Sequence, residues 1–334
     1  MATIYDIAKR ANVSVATVSA VVNNSAYVSP PLRQRVEAVI TELNYNPNLL
    51  ARSLAQKKSF SLGVLIPDIT NPFYPEVVRG AEDKAKQEGY SILLGNSDNC
   101  RDKEELYLNL FLSKRVDGII MFKASEEMTD ALLAKLKGNG IPLVLVGRRY
   151  PRLETDCVVA DDEAGAQAAV RHLIRLGHRR VGIITGPRAV STTEGRLEGY
   201  RRALAAQKIP FDPALVVEGD YGTKSGYRGS LQLLEQKPTA IFSTNYLMTV
   251  GLMQALEKKG LRCPKDIAVV SYDDFLWSSF FQPKLTCIEQ PKYQLGYQAM
   301  TLLLRRLNGK HKRAQTVVLK NRLRIRESCG AKRL

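Results

Sequence analysis

At 334 residues the chain is too long for one ordinary core and leaves room for a small head followed by a two-lobed body. Its formal net charge of +16 favours polyanionic partners through counterion release. The five cysteines are odd in number and widely spaced, which suggests neither a disulfide framework nor a metal knuckle. No stretch is long and apolar enough to span a bilayer, and Met1-Ala2-Thr3 leads straight into a helical pattern. A reducing, cytoplasmic setting is expected.

The first predicted element begins at Thr3, an N-cap with Asp6 three residues on. Ile4, Ile7, Ala8 and Ala11 follow at helical spacing. Asn12 and Val13 interrupt the pattern, Ser14 offers a second cap, and Val18, Val21 and Val22 give a second helix its inward face. The opposite face is small and polar. Ser14, Thr17 and Ser19 suit phosphate oxygens, while Val15, Ala16 and Ala20 are short enough to let the backbone approach base edges in a major groove. This is the pattern of a helix-turn-helix. Ser29-Pro30-Pro31 starts a third helix, with Leu32, Val36, Val39, Ile40 and Leu43 on one side. Asn46-Pro47 opens a further segment through Ala55, too short to be a stable helix alone.

Beyond that hinge, apolar runs alternate with amphipathic stretches. Leu62–Ile66, Ser91–Leu94, Gly118–Phe122 and Pro142–Val146 read as strands, with helical patterns near Phe73–Glu88, Leu106–Leu112 and Leu132–Leu136. A second series runs through Val181–Ile184, Leu215–Val217, Ala240–Phe242 and Ile267–Val270. Ile288–Pro291, Thr316–Leu319 and Leu323–Ile325 read as returning strands. Two doubly wound parallel sheets are expected, linked by several crossovers.

The strings VSVATVSAVVN, LNYNPNLLARSLA, LGVLIPDITNPFYPEVVRGAE and VDGII closely resemble the lactose repressor (LacI/GalR) family of bacterial transcriptional regulators, in this order and over nearly the whole chain. The resemblance implies an α/β protein: a small all-α helix-turn-helix head and hinge helix, then a periplasmic-binding-protein-like core of two doubly wound parallel-sheet lobes. The expected limits are 1–46 for the head, 47–60 for the hinge, 61–161 plus 292–320 for the N-terminal lobe and 162–291 plus 321–330 for the C-terminal lobe. It also implies a homodimer, a repressor on a pseudo-palindromic operator whose affinity is set by a small molecule between the lobes. Leu54 matches the leucine that family members wedge between base steps at the operator centre. The expected DNA contacts are therefore Thr3, Tyr5, Ser14, Val15, Ala16, Thr17, Ser19, Ala20 and Asn23 in the head, with Arg52 and Leu54 in the hinge.

Ligands in open sheets of this type sit beyond the carboxyl ends of the strands. The residues expected there are Phe73, Arg148, Arg196, Tyr221, Asn245 and Asp273. Two departures from the family pattern stand out. Asn245 stands where many relatives carry aspartate; with Arg148, Arg149, Arg188 and Arg196 near the cleft, this loss tilts the expected ligand from a sugar towards a sugar acid. Ala20 replaces a longer base-reading residue, which shifts readout onto Val15, Ala16 and Tyr5.

Other classes find little support. No GxxxxGK[ST] or GxSxG motif is present, and His172, His178 and His311 are not spaced as metal ligands, so neither an enzyme nor a cofactor is expected. A periplasmic sugar-binding protein shares the two-lobed body but has no DNA-binding head. Residues 1–60 carry seven Lys or Arg against three acids. The denser basic run, Arg305 to Arg326, is expected to be a solvated surface. The absence of heptads around Arg326–Cys329 favours a dimer over a coiled-coil tetramer.

Overall fold

The computed structural model describes residues 2–23, 26–45, 58–123, 134–136, 138–148, 153–309 and 313–331. The chain forms two units, Met1–Ser59 and Phe60–Leu334.

The first unit contains α1 (Ile4–Ala11), α2 (Val15–Asn23) and α3 (Pro30–Glu42). Thr3 and Asp6 form a reciprocal capping box at the start of α1. Asn12 then takes the left-handed conformation at φ 51°, which ends α1, and its N–H closes on the last carbonyls. Ser14 accepts from the Thr17 N–H at 3.1 Å and so caps α2. Ile7, Ala8, Ala11, Val18, Val21, Val36 and Val39 meet in one small core. Arg10 and Glu42 clasp α1 to α3 at 2.6 Å.

The second unit contains two six-stranded sheets. In the N-terminal lobe, β1 (Ser61–Ile66), β2 (Ser91–Asn96), β3 (Gly118–Met121), β4 (Leu143–Val146), β5 (Asp156–Ala160) and β11 (Thr316–Leu319) lie in the order β11-β5-β4-β3-β1-β2, all parallel. The C-terminal lobe arranges β6 (Val181–Thr185), β7 (Val216–Glu218), β8 (Ala240–Ser243), β9 (Ala268–Tyr272), β10 (Thr286–Glu289) and β12 (Arg322–Arg324) as β12-β10-β9-β8-β6-β7. Here β12 is an antiparallel edge strand. Central strands such as Val181–Thr185 are buried at every residue, as continuous apolar runs covered on both faces must be.

Helices α4 (Phe73–Gln87), α5 (Arg101–Ser113), α6 (Asp162–Arg175), α7 (Ser191–Ala205), α8 (Thr223–Glu235), α9 (Tyr246–Lys258) and α10 (Lys292–Leu307) cover the sheets. The pairs α4 with α10, α6 with α7 and α8 with α9 pack closely. Gly296 of α10 explains the first approach, since a Cβ there would stand 1.8 Å from the Val77 carbonyl oxygen. The chain passes between lobes at Asp161, at Gln290-Pro291 and at Lys320-Asn321, and each passage is a short link directly following a strand.

Several expectations need correction. Leu215 ends a 3-10 turn and the strand begins at Val216. Strand β5 has no counterpart among the expected elements, because its apolar run, Cys157–Ala160, is brief and flanked by aspartates. The C-terminal basic run is only partly a solvated surface: Arg306 pairs with the fully buried Asp156, and Arg326 grips Asp274 with two bonds of 2.9 and 2.7 Å. No helix among the described residues is long and apolar enough to cross a membrane.

Candidate functional site

In the first unit, the side of α2 opposite its buried Val18 and Val21 carries Ala16, which is exposed, and Ser19 and Ala20, which are partly exposed. Asn23 is the last residue of α2. Val15 is partly buried against the core, so it contributes to packing as well as to that face. Tyr5 projects from α1 with 71% of its surface exposed. The hydroxyls are engaged locally: Thr3 Oγ1 donates to Asp6 at 2.7 Å, and the Ser14 and Thr17 oxygens stand 2.9 Å apart. The first bond closes the N-terminus of α1 and the second lies at the start of α2. Arg52 and Leu54 lie outside the described residues.

In the second unit, a cavity of about 170 Å³ opens between the lobes, and all six residues expected at the cleft line it. Its N-terminal wall comes from the ends of β1, β3 and β4. Phe73, Tyr74 and Phe122 stand edge to face, with centroids 5.1 to 6.1 Å apart. Asn71 orients the first of them by accepting from the Phe73 N–H at 3.0 Å. Gly147, at φ 75°, makes the turn after β4 that delivers Arg148, whose Nη1 donates to the Lys123 carbonyl at 2.5 Å. Burial raises the Tyr74 phenol to about 12, against the pull of Arg148, so it remains a neutral hydroxyl.

Arg196 is the centre of the opposite wall. Its Nε donates to Asp162 at 2.8 Å, its Nη1 donates to the Thr244 carbonyl at 2.6 Å, and its carbon lies 3.8 Å from the Tyr272 ring centroid. Burial works against its charge, but Asp162 outweighs this with help from Tyr272, Tyr221 and Asp273, and the guanidinium pKa stays raised. Tyr272 in turn donates to Asp162 at 3.0 Å and accepts from Asn321 at 2.7 Å. Asn321 also donates to the Asp161 carbonyl at 2.9 Å. A buried polar network thus joins the cavity wall to two of the three interlobe passages. Tyr221 is held at φ 66°, with its hydroxyl 2.6 Å from Thr193 Oγ1 and its ring against Gly186, where a Cβ would stand 2.0 Å from Cζ.

Asp273, at φ 72°, accepts from Gln290 at 2.5 Å, and burial pushes its carboxyl above the ordinary range. Asn245 has a structural duty as well, since its side-chain oxygen caps α9 by accepting from the Met248 N–H at 3.2 Å. Among the described residues no cluster of His, Cys, Asp or Glu is arranged to hold a metal ion.

The expected positive balance of the cleft is corrected by this geometry. Arg188 does not line the cavity and stands 3.3 Å from Glu218, Arg149 lies outside the described residues, and Arg196 is already paired. Four aspartates, Asp68, Asp162, Asp220 and Asp273, line the cavity against two arginines, Arg148 and Arg196. Trp277 is 52% exposed and does not line the cavity. Asp162 is not among the residues expected from the sequence, because the apolar run before it, in β5, is brief and flanked by aspartates.

A helix-turn-helix followed by a two-lobed body with a polar cleft at the strand ends defines a DNA-binding transcriptional regulator controlled by an effector molecule. Comparison with known proteins agrees. The model for bacterial regulatory proteins of the lacI family matches residues 3–48, and that for a periplasmic binding protein-like domain matches residues 170–329. The chain is 40% identical over 332 residues to the HTH-type transcriptional repressor PurR of Proteus mirabilis, covering 98% of this chain and 97% of that one. It superimposes on the lac repressor dimer bound to operator and the anti-inducer ONPF with a TM-score of 0.85 at 30% identity, over 99% of each chain. A transcriptional regulator CelR-cellobiose complex gives a TM-score of 0.75 at 30% identity, over 98% of this chain and 100% of that one. The chain belongs to the LacI family of bacterial transcriptional regulators.

Proposed function

We propose that the chain acts as a homodimeric repressor whose paired α2 helices enter successive major grooves of a pseudo-palindromic operator. Val15, Ala16 and Ala20 face base edges there with Tyr5, while Thr3, Ser14, Thr17, Ser19 and Asn23 position the helix on phosphates. Arg52 and Leu54 in the hinge meet the operator centre. Supporting this reading is the small-residue row of α2 opposite its buried face, which brings the backbone within reach of the bases. Residues 1–46 form the reader and 47–60 the hinge. The lobes divide at 161/162, 291/292 and 320/321, beside the short links between sheets.

The effector in this reading is a hydroxyl-rich small molecule, a sugar or sugar acid, held between Phe73 and Arg148 on one side and Arg196, Tyr221, Asn245 and Asp273 on the other. The observation that carries it is the convergence of these six residues, drawn from both lobes, on one cavity beside the interlobe passages. A ligand touching both lobes stabilises one lobe angle over another, and that preference becomes a change in operator affinity of ~1–3 kcal/mol.

Two measurements on the full chain test the reading. Leu54→Ala is expected to weaken specific operator binding far more than nonspecific binding; equal losses count against the hinge contact. A thermal-shift survey of sugars, sugar acids and nucleobases, repeated with operator present, is expected to find a hydroxyl-rich ligand whose effect reverses or deepens on DNA. A response confined to nucleobases rejects the ligand class.

A further inference from the structure

The inference concerns which charge the cleft accepts, and it rests on the reading of that cleft as the effector site. An arginine captures a carboxylate best through two parallel N–H bonds, from Nε and Nη2 or from Nη1 and Nη2. Two of the five N–H donors of Arg196 are taken. Asp162 takes Nε at 2.8 Å, the Thr244 carbonyl takes Nη1 at 2.6 Å, and the Tyr272 ring covers one face. The pair is deeply placed, with side-chain exposures of 7% and 11%, yet both residues line the cavity. The ligand therefore meets a charge-balanced ion pair, in which the guanidinium keeps three N–H donors, one on Nη1 and two on Nη2, but the pair carries no net charge to offer an anion. Four aspartates, Asp68, Asp162, Asp220 and Asp273, line the cavity against two arginines, Arg148 and Arg196, so the lining as a whole suits hydroxyl donors better than an anion.

We propose that Asp162 sets the charge selectivity of the cleft: by occupying Arg196 it reserves the site for an uncharged, hydroxyl-rich ligand and rejects the carboxylate-bearing counterpart. Asp162 is well placed for this because it is the first residue of α6, directly after the Asp161 cap, and its Oδ1 accepts from the Tyr272 hydroxyl as well as from Arg196. An amide at position 162 keeps an oxygen for Tyr272 and Arg196 but removes the negative charge, leaving the guanidinium uncompensated.

The test uses full-length protein, wild type, Asp162→Asn and Asp162→Ser, with melting temperature and calorimetry as readouts at constant ionic strength. The probes are D-glucose against D-glucuronate, D-galactose against D-galacturonate, and sodium sulfate as a bare anion. In wild type the neutral member of any responding pair is expected to bind at least tenfold tighter, and sulfate is expected to stabilise no more than chloride. Asp162→Asn is expected to narrow or invert the ratio by tenfold or more and to gain a saturable sulfate response, which Asp162→Asn/Arg196→Met loses. Wild type binding a uronate as tightly as its neutral partner overturns the proposal, as does a sulfate response unchanged by both Asp162 variants. Should no sugar bind wild type while Asp162→Asn still gains sulfate through Arg196, the role of Asp162 stands and the sugar reading of the cleft falls.

Discussion

Lys292 Nζ stands 3.0 Å from Glu76 Oε2, and the same ammonium donates to the Asp274 carbonyl at 2.5 Å while lying 4.1 Å from the Phe275 ring centroid. One buried cation, at the first residue after the Gln290-Pro291 passage, thus joins α4 of the N-terminal lobe to the loop after β9 in the C-terminal lobe. That loop carries Asp273 into the cleft, and α4 begins with Phe73 on the other side of it.

Lys292→Met is therefore expected to cost about 2 kcal/mol in urea unfolding, from the lost bond to Asp274 and the lost ring contact. Glu76 is half exposed, and Glu76→Gln is expected to cost less than about 1 kcal/mol. Both variants are expected to shift the difference in operator affinity with and without effector, because both loosen a tie between lobes. Operator titrations that show unaltered coupling in Lys292→Met exclude the tie as a determinant of lobe angle.

Gly186→Ala places a Cβ 2.0 Å from Cζ of Tyr221, a contact that neither the ring nor its strained backbone can absorb in place. The ring must leave its bonds to Thr192 and Thr193. Effector affinity measured by calorimetry is expected to fall tenfold or more, with a loss of about 1–3 kcal/mol in stability. An unchanged dissociation constant removes Tyr221 from the binding wall.

The Asp273 carboxyl is raised by burial, with partial relief from Arg196, Gln290 and Lys292, above its ordinary value of 3.8. Between those two values the folded protein binds more protons at this site than the unfolded chain does. Its contribution is fully present below 3.8 and is lost as pH rises through the raised value. Asp273→Asn without ligand is expected to be more stable than wild type at neutral pH, by a margin that shrinks on acidification. Urea melts at several pH values decide it, and a margin that grows towards acid contradicts the burial account.

Ala20 sits on the partly exposed row of α2 with Ala16 and offers a methyl group where a longer side chain could reach a base. Ala20→Arg is expected to change which operator is preferred, with guanine gaining favour at the position it meets, and not merely to tighten binding. A selection from randomised operators reads this directly. The same consensus from both proteins shows that position 20 faces no base.

The periodic features were legible in the residues. Helix caps at Thr3 and Ser14, the inward valines of α2 and α3, and most strands of both lobes follow from local patterning, because caps and apolar spacing act over a few residues. The six cleft residues were legible from their places after apolar runs and from family likeness. What neighbours those residues was not legible. Asp162 and Arg196 are 34 positions apart and Lys292 and Glu76 are 216, so no local rule pairs them.

Residue order alone thus determined a reader with small side chains on its outward row and a body of two wound sheets, since periodicity and turn chemistry are written in short stretches. Tertiary structure alone decided the character of the cleft. Whether an arginine attracts an anion depends on what already holds its donors, and the folded chain brings a carboxylate, a carbonyl and an aromatic ring to Arg196 from distant segments. Burial then strengthens those contacts by excluding the water that would screen them.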